Sequence, residues 1–192
     1  MTSPFDARPI IVAIAGPNGA GKSTFFQAHL APAGLRFINA DDLARELAID
    51  SSQAANLANR LRQELVNQRE SFVFETVLSD PVGDKVDFLV RAAAHGYTVV
   101  MIFIGIDGPE ISEQRVAMRV MQGGHDVPAD KLAARFPRTM ENLGRAIQRL
   151  PHVLVFDNSD LAHPFRQVAE FREGKLLAVN EPTPVWLPIK KR

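Results

Sequence analysis

The feature that most limits what this chain can become is Gly16-Pro17-Asn18-Gly19-Ala20-Gly21-Lys22-Ser23, with Thr24 next. It lies directly after the unbroken apolar run Ile10–Ala15. An apolar run without alternation predicts a strand covered on both faces, the interior position of a parallel sheet. A G-x-x-x-x-G-K-[ST] segment between such a strand and a helix (expected over about 22–30) is a phosphate cradle. Its glycines permit backbone angles that turn successive N–H groups inward onto phosphate oxygens. The helix that follows aims its positive end at the same oxygens. Lys22 neutralises the β- and γ-phosphates, and the Ser23 hydroxyl is placed to ligate Mg²⁺. The expectation is therefore a nucleoside triphosphate, ATP or GTP, bound with magnesium by Gly16 through Thr24.

The remaining chain alternates strand and helix. Strands are expected at 36–40, 71–77, 97–106 and 153–156, with helices after Asp41-Asp42 and at 51–70, 84–95, 110–121 and 128–150. Leu57, Leu61, Leu65 and Val66 would form the apolar face of the second of these helices. Pro137 is expected to interrupt or restart the last. Parallel strands require crossover connections, so this alternation predicts an α/β three-layer sandwich with a parallel sheet of about five strands. Segments 165–171 and 175–179 flank Glu173-Gly174 as a hairpin. The expected organisation is one domain over 1–192, with a helical lid at about 110–150 and a hairpin and tail at about 160–192.

Composition narrows the function classes. Lys+Arg and Asp+Glu balance at 22 each in 192 residues, so no net field draws the chain to nucleic acid or to a membrane. There is no cysteine, hence no disulfide framework and no thiolate nucleophile or metal ligand. Met1–Pro9 lacks a signal-peptide pattern and no apolar run approaches a membrane span, so a cytoplasmic location is expected. The loop wording also occurs in ABC-type ATPases. Here Val153–Asp157 is followed by Asn158 rather than Glu, and 121–126 is no LSGGQ-like signature. The ABC reading is rejected.

Candidate chemistry lies beyond the strand ends, where open parallel sheets bind ligands. Asp41 is the expected general base for an acceptor hydroxyl attacking the γ-phosphate. Asp41 and Asp42 also suit a helix start, with Asp42 the expected cap. Glu75 and Thr76 end the third strand; Glu75 is either an acceptor-binding acid or a solvated strand end. The densest basic region holds Arg115, Arg119, Lys131, Arg135, Arg138, Arg145 and Arg149. Arg119 and Arg135 are expected to close on the triphosphate, whereas Arg145 and Arg149 read as solvated pairs. His125 either contacts the acceptor or shapes the Gly123-Gly124 loop. Asp157-Asn158-Ser159 is either part of the nucleotide pocket or a turn. A nucleotide-gated RNA- or protein-binding module is the other class of reading, disfavoured by neutral charge and scarce aromatics in the lid.

These landmarks in order resemble the zeta toxin family of P-loop kinases over about 10–158. They are Gly16–Thr24, Phe37-Ile38-Asn39-Ala40-Asp41-Asp42, Phe74-Glu75-Thr76 and the arginine lid. The stretch from Arg119 to Pro128 is most similar to the shorter chromosomal branch, often labelled predicted ATPases. The resemblance implies that Asp41 is the catalytic base and that Glu75 holds the acceptor, with Thr76, Asp42, His125 and Arg115 near it. It implies that Arg119 and Arg135 are the lid arginines, with Arg115 competing for the first role. It further implies UDP-N-acetylglucosamine as favoured acceptor and an antitoxin as partner, with another sugar or a nucleotide cofactor such as NAD as the alternative. The short chain, the Gly-Gly-His loop and the hairpin tail depart from better-known members on the acceptor side.

Overall fold

The computed structural model describes residues 3–121, 123 and 127–187. Its centre is β1 (Ile10–Ala15), all six residues of which are buried. A strand with no exposed face needs neighbours on both edges and cover above and below. β1 pairs in parallel with β3 (Phe72–Thr76) on one edge and with β4 (Thr98–Gly105) on the other. β2 (Arg36–Ile38) joins β3, and β5 (His152–Asp157) joins β4, both in parallel. β6 (Arg166–Arg172) and β7 (Lys175–Val179) form the expected hairpin, and it does not stand apart. β6 pairs antiparallel with β5, giving one seven-stranded sheet in the order β2-β3-β1-β4-β5-β6-β7.

Alternate residues of the central strands feed two cores. Ile11, Ala13, Phe72, Phe74, Met101 and Phe103 face α3 (Ser51–Asn67), α4 (Asp84–Ala94) and α6 (Ala129–Arg149). Ile10, Val12, Ile14, Val100, Ile102 and Ile104 face Phe25 and Phe26. Fully burying one such side chain contributes about 1.5–3 kcal/mol, which is why the interdigitated centre dominates the fold. Val116 of α5 (Pro109–Met121) packs with Val127 and with Leu132 of α6 in a small third core.

Several elements differ from the sequence expectation for identifiable reasons. The helix after the phosphate loop begins as α1 (Lys22–Phe25) and continues π-wound to Leu30. β2 ends at Ile38 because Asn39 caps α2 (Ala40–Leu47), its side chain accepting from Asp41 N at 2.8 Å. Asp42 is therefore not the cap; its carboxylate pairs with Arg45 at 2.6 Å. The buried face of α3 is Ala54, Ala58, Arg62 and Leu65, with Leu57 only partly covered. α6 runs unbroken through Pro137. Pro137 removes the N–H that would reach Ala133 O, and in the same turn the Arg138 side chain donates its Nε–H to Ala134 O at 2.9 Å.

Because the chain leaves β1 first toward β2 and β3 and then crosses to β4 and β5, the order reverses beside β1. A crevice opens there beyond the strand carboxyl ends.

Candidate active site

The phosphate loop fills that crevice. A Cβ on Gly16 would overlap the carbonyl oxygen of Ile104, so the loop leaves β1 only because this position has no side chain. Three carbonyls of the loop are anchored from outside. Ser112 Oγ of α5 donates to Asn18 O at 2.7 Å, Arg115 Nη1 to Gly19 O at 3.4 Å, and Asn158 Nδ2 to Ala20 O at 2.9 Å. In a trans peptide the C=O and the following N–H point in opposite directions. Holding Asn18 O and Ala20 O outward thus turns the N–H groups of Gly19 and Gly21 to the inner side, where phosphate oxygens are received. Gly21 adopts the left-handed conformation, φ 86°, that this geometry needs. Asn158 is 3% exposed, and its backbone N–H donates to Gly105 O at 2.9 Å. Of the two readings open for Asp157-Asn158-Ser159, the turn is what forms, and it also clasps the phosphate loop.

Lys22 is 6% exposed. Burial pulls its ammonium below the ordinary lysine range; Glu75 and Asp41 oppose that shift, and Arg119 adds to it. Its Nζ donates to Pro17 O at 3.0 Å and lies 3.7 Å from Glu75 Oε1. The other carboxylate oxygen of Glu75 accepts from Ser23 Oγ at 2.7 Å and from Asn39 Nδ2 at 3.1 Å. One asparagine therefore caps α2 with its oxygen and holds Glu75 with its nitrogen. Sequence reading passed over Asn39, although an Asn before a helical start is a recognisable cap signal. Asp41, in the first turn of α2, is exposed. The charges of Asp41 and Arg119 are both felt at the Lys22 ammonium.

Arg115 is engaged by backbone on two sides. Its Nη2 donates to Ser159 O at 3.1 Å while Nη1 reaches Gly19, so it ties the phosphate loop to the turn after β5. Arg145 pairs with Glu141 and Arg149 with Asp87.

Beside Thr76 lies a cleft of about 370 Å³ lined by Thr76 through Asp80 and by Lys85, Arg135 and Arg138. Its backbone wall is held by α6: Thr139 Oγ1 donates to Val77 O at 2.9 Å, and Asn142 Nδ2 to Leu78 O and Asp80 O, each at 2.8 Å. Arg62 is buried nearby with its guanidinium 4.8 Å from the centre of the Phe74 ring. Burial pulls Arg62 down to about 10. Lys85 is lowered by burial and then by the charge of Arg62, with Asp80 and Asp84 opposing. Nothing in the sequence around Lys85 marks it as a residue of this cleft. Arg135 lines this cleft. His125 lies outside the described residues.

Among the described residues no group of three or more His, Asp or Glu side chains forms a metal cage. The Ser23 hydroxyl, the Glu75 carboxylate and the nearby Asp41 are nevertheless hard oxygen donors. They suit Mg²⁺, which takes one or two carboxylates and completes its shell with substrate phosphate and water.

The Zeta toxin family model matches residues 1–167. A crystal structure of the AvrRxo1-ORF1:-ORF2 complex with ATP superposes with a TM-score of 0.72 at 20% identity, covering 98% of this chain and 67% of that one. The PezAT chromosomal toxin–antitoxin system of Streptococcus pneumoniae gives 0.54 at 18% identity, over 78% of this chain and 68% of that one. Shikimate kinase from Bacteroides thetaiotaomicron gives 0.50 at 18% identity, over 80% and 89%. At these identities the structural likeness shows the fold. Among curated proteins the chain finds no match.

Proposed function

The chain belongs to the zeta toxin family, and on that premise we propose that it is an ATP-dependent phosphotransferase acting on the hydroxyl of a small molecule. The observation that carries this reading is the convergence of Lys22, Ser23 and Asn39 on the Glu75 carboxylate at the phosphate loop, with Asp41 in the first turn of the helix that Asn39 caps. Asp41 orients the acceptor hydroxyl and takes its proton as the oxygen attacks the γ-phosphorus. The bond from that phosphorus to the bridging oxygen of ADP breaks, and Lys22, Arg119 and Arg135 stabilise the charge that builds on the leaving side. Ser23 and Glu75 would hold Mg²⁺, which would supply neutralisation of the triphosphate charge. An ATP-bound structural neighbour supports ATP as the donor.

UDP-N-acetylglucosamine is the favoured acceptor. Supporting it is the excess of cations in the cleft beside Glu75, where Lys85, Arg135 and Arg138 face a single acid, Asp80. A nucleotide diphosphate would satisfy Lys85 and Arg138 and leave the sugar toward Asp41. The toxin–antitoxin neighbour supports an antitoxin as protein partner. No helix among the described residues is long and apolar enough to cross a membrane.

The test is transfer from γ-labelled ATP, with magnesium, to a panel of nucleotide sugars, free sugars and NAD. A labelled nucleotide sugar is expected. Asp41→Asn should lower the rate about 10²–10⁴-fold while ATP affinity is kept. Absence of any labelled acceptor from the wild-type enzyme, or full activity in Asp41→Asn, overturns the assignment.

A further inference from the structure

After β7 the chain turns back rather than leaving the sheet. Asn180 N donates to Val168 O at 3.0 Å, and Asn180 Nδ2 to Gln167 O at 3.0 Å, on the neighbouring strand β6. Residues 181–187 then return from the hairpin edge to β4. There Leu187 enters the main core at 5% exposure, and Trp186 lies with its ring 6.1 Å from that of Phe103. Trp186 occupies the space a side chain on Gly105 would fill: a Cβ there would overlap three carbons of the indole. Its Nε1 donates to Asp157 Oδ1 at 3.1 Å.

Asp157 is the last residue of β5, and its carboxylate organises the turn that follows. Oδ1 also accepts from Ser159 Oγ at 2.6 Å and Ser159 N at 3.2 Å, and Oδ2 from Arg166 Nη2 at 3.4 Å. Between Asp157 and Ser159 sits Asn158, whose amide holds the Ala20 carbonyl and whose Oδ1 accepts from Phe165 N at 3.3 Å. A continuous path therefore runs from the tail indole through Asp157 and Asn158 to the peptide that presents the Gly21 N–H. Its two non-covalent links are hydrogen bonds between buried or half-buried groups, where loss of a partner is costly, and the chain itself joins Asp157 to Asn158.

We infer that Trp186 is a positioning residue for nucleotide binding: the C-terminal strap braces the phosphate loop through the turn after β5. The inference rests on the reading that this loop binds ATP. Trp186 lies beyond the stretch the family model matches, so the brace is supplied by a segment outside that model. It is also the sole tryptophan, so its fluorescence reports on the brace without competing signal.

Two substitutions reach the brace from opposite ends. Trp186→Phe keeps an aromatic ring on Gly105 and removes the N–H to Asp157. Gly105→Ala leaves the indole intact and displaces it. Calorimetric titration with Mg·ATP is expected to show a dissociation constant raised about three- to tenfold in each, the scale of one weakened hydrogen-bond path. The double variant should be no worse than the weaker single, because both remove the same contact. Steady-state KM should rise for ATP and stay unchanged for the acceptor, with cooperative melting retained. ATP should shift Trp186 emission in the wild type, and Asn158→Ala should abolish that shift. Unchanged ATP affinity in both folded single variants overturns the brace. So do additive effects, an equal rise in both KM values, or a shift that survives Asn158→Ala. A wild-type protein that binds no Mg·ATP overturns the nucleotide reading itself, and the brace with it.

Discussion

Around the phosphate loop the recognition surface is backbone. Ser112, Arg115 and Asn158 hold three of the loop carbonyls from outside. Around the neighbouring cleft the surface is side chains on separate helices, with Lys85 from α4 and Arg135 and Arg138 from α6. The loop is over-determined, because its conformation is fixed by partners in α5 and in the turn after β5. The cleft is shaped by one reinforced wall, Val77–Asp80, and otherwise by long charged groups. Backbone N–H groups read any triphosphate alike, whereas guanidinium and ammonium groups on movable stems set which acceptor is tolerated. On the proposed assignment of the cleft to the acceptor, the donor half is general and the acceptor half specific.

The sharpest way to break this comparison is at Arg135, which lines the acceptor cleft yet is assigned to the moving phosphate. Arg135→Ala should cut kcat about 10³-fold, the scale of a lost arginine finger, with KM for ATP little changed. A pure rise in acceptor KM would place Arg135 with the specific half instead. Next in size, Lys85→Ala and Arg138→Ala should each raise KM for an anionic acceptor about tenfold and leave ATP affinity alone, as expected for one charge-assisted contact. A panel of acceptors with and without phosphate, measured with each variant, checks this. The smallest effect concerns pH. Burial lowers Lys22 below its usual 10.5, and triphosphate favours the charged form. Mg·ATP affinity should therefore be complete below the pKa of Lys22 and decline as pH rises through it, at a pH below 10.5. Titrations at increasing pH, with Lys22→Arg as a flat control, measure the limb.

Legibility in the sequence followed the range of the interactions. Ile10–Ala15 and the glycines at 16, 19 and 21 announce a buried strand and a phosphate loop because strand burial and loop geometry are written in adjacent residues. The hairpin at Glu173-Gly174 was readable for the same reason. That it would extend the parallel sheet as β6 and β7 was not, since strand order is a property of the packed sheet. The α3 face was read as leucines, whereas the stripe that is buried includes Arg62, made tolerable by the Phe74 ring on a strand still to come.

What the sequence by itself determined is therefore the cradle, the alternation of strand and helix, and the residue types able to transfer a phosphate. Tertiary structure alone decided which of them meet. Glu75 lies 52 positions from Ser23 and contacts it because β3 pairs beside β1. Asn158 lies 138 positions from Ala20 and reaches it because β5 ends next to β4. Trp186 finds Asp157 because the tail doubles back over the sheet. Local propensity carries no term for such distant partners; they follow from how buried strands order themselves to cover one another.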